Sequence, residues 1–155
     1  MANKDRKTLV LLDSHAIIHR AYHALPQFVS SKGVPTGALY GVSTMLMKII
    51  SDLKPEYIVA CYDLPGPTYR HDAYEGYKGT RKETEDDLVA QIKRSSDVFN
   101  AFHIPMYSLA GFEADDMLGT IVEETKKNDE LEIVIASGDM DTLQLVEKGR
   151  VLVYT

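Results

Sequence analysis

Acidic side chains from four separate stretches of this 155-residue chain carry the chemistry open to it. Asp13 follows Leu9-Val10-Leu11-Leu12, and Asp63 follows Ile58-Val59-Ala60-Cys61-Tyr62. Asp139 and Asp141 follow Ile133-Val134-Ile135-Ala136, while Glu113, Asp115 and Asp116 stand together between Gly111 and Gly119. That many carboxylates cannot all stay ionised at close range without a counter-charge. Oxygen donors with no cysteine beside them, and no histidine at ligand-like spacing to them, select magnesium, or manganese in its place, over zinc. Two such ions could activate a water and stabilise the leaving oxygen of a phosphodiester. The plainer reading of the 113–116 set alone is a charged first helical turn that complements the macrodipole.

Convergence of these acids depends on the elements that carry them. Each of Asp13, Asp63 and Asp139 follows an apolar run that reads as a buried parallel strand, so each falls where a strand's carboxyl end meets solvent. Helical patterns separate the runs. One spans about His15 to Leu25, with Ser14 expected as its cap, and one spans about Thr36 to Asp52, stopped by Lys54-Pro55. Another runs from about Glu85 to Phe102, and the acidic helix places Glu113 and Asp116 on one face with Asp115 to the side. A strand candidate at Ile104 to Tyr107, a short helix at about Thr142 to Val146 and a last strand, Arg150 to Tyr154, complete the pattern. Strands alternating with helices predict an α/β domain, a parallel doubly wound sheet with flanking helices and its acidic site at the strand carboxyl ends.

The hydrophobic content of 45% suffices for one domain with a core. Cys61, the one cysteine, lies inside an apolar run, so it reads as a small buried hydrophobe in a protein expected in the reducing cytoplasm. No membrane span or secretory signal is visible, and no membrane partner is expected. The net charge of -6 argues against a generally basic nucleic-acid-coating surface. Much of that negative charge is the acid set, whose local potential a bound divalent ion would reverse, so a phosphate-bearing substrate stays open. Oligomeric state is not legible.

Between Thr68 and Thr84 the composition changes. Arg70, His71, Lys78, Arg81 and Lys82 alternate with Tyr69, Tyr74 and Tyr77, and large aliphatic side chains are absent. The segment is therefore expected outside the core. It reads either as a solvated loop with amphipathic tyrosines or as a surface for single-stranded nucleic acid, cations on phosphates and rings on bases. The five histidines look scattered, and none is assigned a metal. Other α/β chemistries fit less well. His15 stands where a haloacid-dehalogenase-type phosphatase needs a second Asp, and a receiver domain has no use for the 113–116 acids. No Gly-rich nucleotide loop follows the first strand.

Seven ordered motifs resemble a known family: Leu12-Asp13; His23-Ala24-Leu25-Pro26; Pro35-Thr36-Gly37-Ala38-Leu39-Tyr40-Gly41; Gly66-Pro67-Thr68-Tyr69-Arg70-His71; Tyr77-Lys78; Gly111 to Asp116; and Gly138 to Leu145. They resemble the 5′ to 3′ exonuclease domain of bacterial DNA polymerase I, a member of the flap endonuclease family with a PIN-like fold. The resemblance implies a metal-dependent nuclease, a hydrolase of DNA replication and repair, acting on DNA with a 5′ end or 5′ flap. It implies that Asp13, Asp63, Glu113 and Asp115 serve one metal and Asp139 and Asp141 a second, with Asp115 near both and Asp116 close behind. It also implies that Arg70, Lys78 and Arg81 grip the scissile phosphate and the 5′ strand, in an arch over about 68–84, and that Arg20 faces DNA.

The chain departs from the family pattern at Ser14, where glycine is usual, at His19, where tyrosine is usual, and at Lys82-Glu83-Thr84-Glu85, which replaces a proline-containing stretch. The family's further metal-binding aspartates and its helix-hairpin-helix module are not in this sequence, so residues 1–155 are expected to be the N-terminal portion of a 5′ nuclease domain. The alternative is a truncated domain, catalytically weak or inactive, that binds DNA or a partner without cutting.

Overall fold

The computed structural model describes residues 6–79 and 84–155. Strands β1 (Lys7–Asp13), β2 (Tyr57–Cys61), β3 (Met106–Tyr107), β4 (Leu131–Ala136) and β5 (Val151–Tyr154) form one sheet in the order β3-β2-β1-β4-β5. Every pairing is parallel. The chain builds outward from β1 in one direction, then returns across it to continue in the other. That reversal is the switch point at which parallel sheets open a crevice beyond their strand ends.

Alternation along β1 explains how its continuous apolar run is used. Val10 and Leu12 point into a core shared with helices α1 (Ser14–Ala24), α2 (Gly37–Leu53) and α4 (Asp86–Ala101). Leu9 and Leu11 point the other way, onto Leu118 and Val122 of α5 (Ala114–Thr125). Both faces are covered, so from Leu9 to Leu12 the central strand has no place for a polar side chain. Cys61 belongs to the second core, where burial pushes its thiol up to about 12 and leaves it inert as a nucleophile.

Two contacts fix the helical layer. Gly41 lets α1 and α2 approach closely, since a Cβ there would stand 2.7 Å from the Ala21 Cβ. The buried Gln91 of α4 accepts hydrogen bonds from the backbone N–H groups of Ala38 (2.8 Å) and Leu39 (3.4 Å), satisfying two amides that open α2.

Local differences from the sequence expectation have local causes. Asp13, not Ser14, caps α1, because its carboxylate accepts from the Ala16 N–H at 3.1 Å while Ser14 is already inside the helix. The helix expected at about Thr142 to Val146 is a 3₁₀ helix over Met140–Leu145, beginning where the Asp139 carboxylate accepts from the Asp141 N–H. Within the segment expected outside the core, a short helix α3 (Tyr69–Ala73) forms, its start held by His71 Nδ1 accepting from the Thr68 N–H at 3.0 Å.

Candidate active site

Strand register brings the acids together. Asp13 ends β1 opposite Cys61, two residues before Asp63, while Leu12 pairs with Ala136, three residues before Asp139. The first turn of α5 enters from the far side of the sheet. Asp13, Asp63, Glu113, Asp115 and Asp139 consequently line one cavity of about 400 Å³, together with Lys78, His15 and His19.

Asp13 is the most enclosed of these acids, 5% exposed. One carboxylate oxygen caps α1, and the other accepts from the Ser137 hydroxyl at 2.7 Å. Burial raises its pKa, partly opposed by those two hydrogen bonds. Ser137 in turn accepts from the Asp139 N–H at 2.9 Å, so one buried hydroxyl ties the end of β1 to the turn after β4. Asp63 accepts from the Ala114 N–H at 2.5 Å, and its other oxygen lies 3.6 Å from His15 Nδ1.

Asp115 differs from its neighbours. It accepts no hydrogen bond among the described residues, and burial, followed by the charges of Asp13, Asp139, Asp63 and Glu113, pushes it up to about 6. A carboxyl so placed is short of positive charge.

Glu113 and Asp116 are compensated instead. Lys78 Nζ stands 2.8 Å from one Glu113 oxygen, and the Tyr77 hydroxyl donates to the other at 3.2 Å. Burial alone would raise Glu113, but Lys78 and Tyr77 outweigh it and leave its pKa below the ordinary value. Arg70 forks onto Asp116 at 2.6 and 2.7 Å, and Asp116 also accepts from the Glu113 N–H at 2.9 Å. The guanidinium holds Asp116 down and is itself raised.

Asp116 therefore sits behind the cavity with its carboxylate engaged by Arg70, and Asp141 lies exposed on the 3₁₀ helix; neither lines the cavity. Arg20 is exposed on α1 beside Gly138, at the edge of a shallow hollow that reaches Asp139. Arg81 is outside the described residues. Lys78 adopts a left-handed backbone (φ 58°), and its ammonium lies 5.2 Å from the centre of the Tyr77 ring.

Sequence reasoning passed over Ser137 and His15. The signal for Ser137 was its place between the end of β4 and Asp139, and the signal for His15 was its nearness to Asp13 in the first turn of α1.

The donor chemistry suits a hard divalent cation: the cavity is lined by carboxylate oxygens, and the pKa of one of these groups, Asp115, is pushed up by burial and by its neighbours' charge. Among the described residues, however, no three such side chains are already drawn into a closed cage.

A family described as "5′-3′ exonuclease, N-terminal resolvase-like domain" matches residues 8–155. DNA polymerase I of Caldicellulosiruptor bescii is 40% identical over 144 residues, which are 93% of this chain and 17% of that protein. DNA polymerase I of Bacillus subtilis is 38% identical over 141 residues, 91% of this chain and 16% of that protein. The chain thus spans about a sixth of the length of these curated relatives. Among solved structures, a bacteriophage T5 protein co-crystallised with metal ions superposes with a TM-score of 0.73 at 18% identity, covering 96% of this chain and 55% of that one. A bacteriophage T5 flap endonuclease in a pseudo-enzyme–product complex with DNA and metal ions gives 0.68 at 16% identity, with the same coverage. At these identities the structural likeness bears on the fold, which is the PIN-like α/β arrangement expected from the sequence.

Proposed function

The chain belongs to the 5′-3′ exonuclease N-terminal resolvase-like domain family, and on that footing we propose that it supplies the carboxylate site of a metal-dependent 5′ to 3′ exonuclease or flap endonuclease acting on DNA. The observation that carries the proposal is the convergence of Asp13, Asp63, Glu113, Asp115 and Asp139 on one cavity at the carboxyl edge of the sheet. Asp13, Asp63, Glu113 and Asp115 would hold one divalent ion, and Asp139 with Asp141 a second, Asp115 standing near both. Bound there, Mg²⁺, or Mn²⁺ as a substitute, would supply Lewis acidity and a water activated for phosphodiester hydrolysis.

The protein's own groups then have distinct tasks. Ser137 keeps the Asp13 carboxylate turned to the cavity, and the Ala114 N–H does the same for Asp63. Lys78, on the cavity wall, is placed to meet a phosphate, and Arg70 anchors α3 to α5 beneath it. DNA with a 5′ end or 5′ flap is the proposed partner, and Arg20 and Arg81 would add phosphate contacts.

A second reading has one observation in its favour. Glu113 already holds Lys78 at 2.8 Å, an arrangement that would suit a domain that binds DNA or a partner without cutting it. Labelled 5′-flap and 5′-recessed duplexes, incubated with the chain in Mg²⁺, separate the readings. Cleavage that disappears in Asp115→Asn is the expected result. Cleavage unchanged by Asp115→Asn would reject the carboxylate site, and salt-dependent binding with no cleavage would favour the second reading.

A further inference from the structure

Along α1 the histidines are not scattered. His15, His19 and His23 recur every fourth residue, so each lies about 40° further round a helix of 3.6 residues per turn, on one face. His15 is taken up with Asp63 in the acid cavity. His19 and His23 face one another along the helix, their ring centres 6.4 Å apart and their planes inclined by 36°.

We infer that His19 and His23 form a bis-imidazole site for a borderline transition cation such as Zn²⁺ or Cu²⁺, at the rim of the hard-cation carboxylate cavity. Two histidines four residues apart on one helical face are the spacing at which a helix offers two ring nitrogens to one metal ion. Neutral imidazole favours zinc, copper and nickel over magnesium, which prefers oxygen donors. The surroundings also favour a cation. His23 occupies the last turn of α1, where the open carbonyls carry the negative end of the helix dipole. His19 itself borders the carboxylate cavity, whose charge raises the local concentration of cations. The near-perpendicular packing of the Tyr22 and His23 rings, with centres 5.2 Å apart, limits how far that imidazole can swing.

The test is a Zn²⁺ titration of the whole chain in excess Mg²⁺, followed through the ring resonances of its histidines, with nitrogen couplings to bound Cu²⁺ as a second readout. The expected result is that His19 and His23 shift together with one equivalent of Zn²⁺, and that Cu²⁺ shows two coupled nitrogens. His23→Asn, an exposed change, should abolish the shift at His19 and weaken binding by at least roughly tenfold, a loss that even outer-shell changes can inflict on metal sites. His19→Asn should do the same at His23. The inference is overturned if the two rings titrate independently, or if either variant binds Zn²⁺ as the parent does. It is overturned equally if His15 responds with His19 while His23 stays silent, because the cation would then be in the carboxylate cavity. None of these readouts depends on DNA cleavage.

Discussion

Lys78 Nζ lies 2.8 Å from Glu113 Oε1, and that pair spans 35 residues of sequence to set a cation on the cavity wall. Glu113 is 7% exposed, so the ammonium is its chief compensation and not a surface ornament. Lys78→Ala should lower stability by about 1–3 kcal/mol, less than the loss of one partner of a fully buried pair because Lys78 keeps some contact with solvent. Mg²⁺ or Mn²⁺ should then restore more stability to the variant than to the parent, since Glu113 is left to the metal. Thermal melts with and without chelator measure both effects, and equal metal-induced shifts in the two proteins would contradict the expectation.

Ser137 is the joint between Asp13 and Asp139. Ser137→Ala removes the donor to one and the acceptor from the backbone of the other, two buried interactions at once. A loss of about 1–3 kcal/mol is expected, together with weaker divalent-metal binding measured by calorimetry. Ser137→Thr, which keeps the hydroxyl, should retain more of both than Ser137→Ala does.

Asp115 sets a pH dependence. Its folded-state pKa of about 6 lies above the ordinary 3.8, so between those values the native state binds more protons than the unfolded chain. Stability must therefore fall as pH rises through that window. Asp13, raised by burial, acts in the same direction, whereas the lowered Asp116 and Glu113 lose their contributions only on further acidification. Asp115→Asn should raise the melting temperature at neutral pH and flatten the decline between about pH 4 and pH 6, and saturating Mg²⁺ should flatten it in the parent. Melting temperatures of the parent that rise across this window would show the sign to be wrong.

Gly41 tests the close contact of α1 with α2. Gly41→Ala gains helix propensity of roughly 1 kcal/mol, yet its methyl would meet Ala21 at 2.7 Å, and overpacking of that kind costs about 1–3 kcal/mol. A net loss of stability is expected in denaturant titrations. Combining it with Ala21→Gly should recover the packing share of the loss, and a double variant no better than the sum of the singles would exclude a direct clash.

The proposed DNA contact should depend on Lys78 and Arg70 differently. Lys78→Ala should reduce the salt dependence of binding by the equivalent of about one phosphate contact. Arg70→Lys removes the fork on Asp116 and should loosen α3, seen as faster amide hydrogen exchange over residues 69–79 both with and without DNA. Exchange there that matches the parent would mean that the fork does not hold α3 in place.

The acids at the strand ends were legible because each follows an apolar run whose length and composition identify a buried parallel strand. The sheet follows from the same runs and the helices between them. What lies across the chain was not legible. The Arg70–Asp116 fork joins residues 46 apart, and the Ser137 hydrogen bond to Asp13 joins residues 124 apart. Nothing local marks either pair. Residue preference points to Ser14 as the cap of α1, but the helix begins one residue earlier than expected, at Ser14 itself, and the Asp13 carboxylate accepts from the Ala16 amide. The start of α3 escaped notice because a histidine, where glutamate or glutamine is usual, completes its capping arrangement with Thr68.

The central position of β1 has a consequence in time. The β4 residues that flank this strand, from Leu131 to Ala136, are made more than a hundred residues after it. At roughly 5–20 residues per second the wait is several seconds or more, with one edge of the apolar Leu9–Leu12 run unpaired. Such distant parallel pairings are slow to find, and exposed strand edges are where growing chains stick to one another. Asp13 acquires Ser137 only when β4 docks. Maturation of the carboxylate cavity is thus tied to the closing of the sheet, and whatever shields β1 during synthesis guards the site as well.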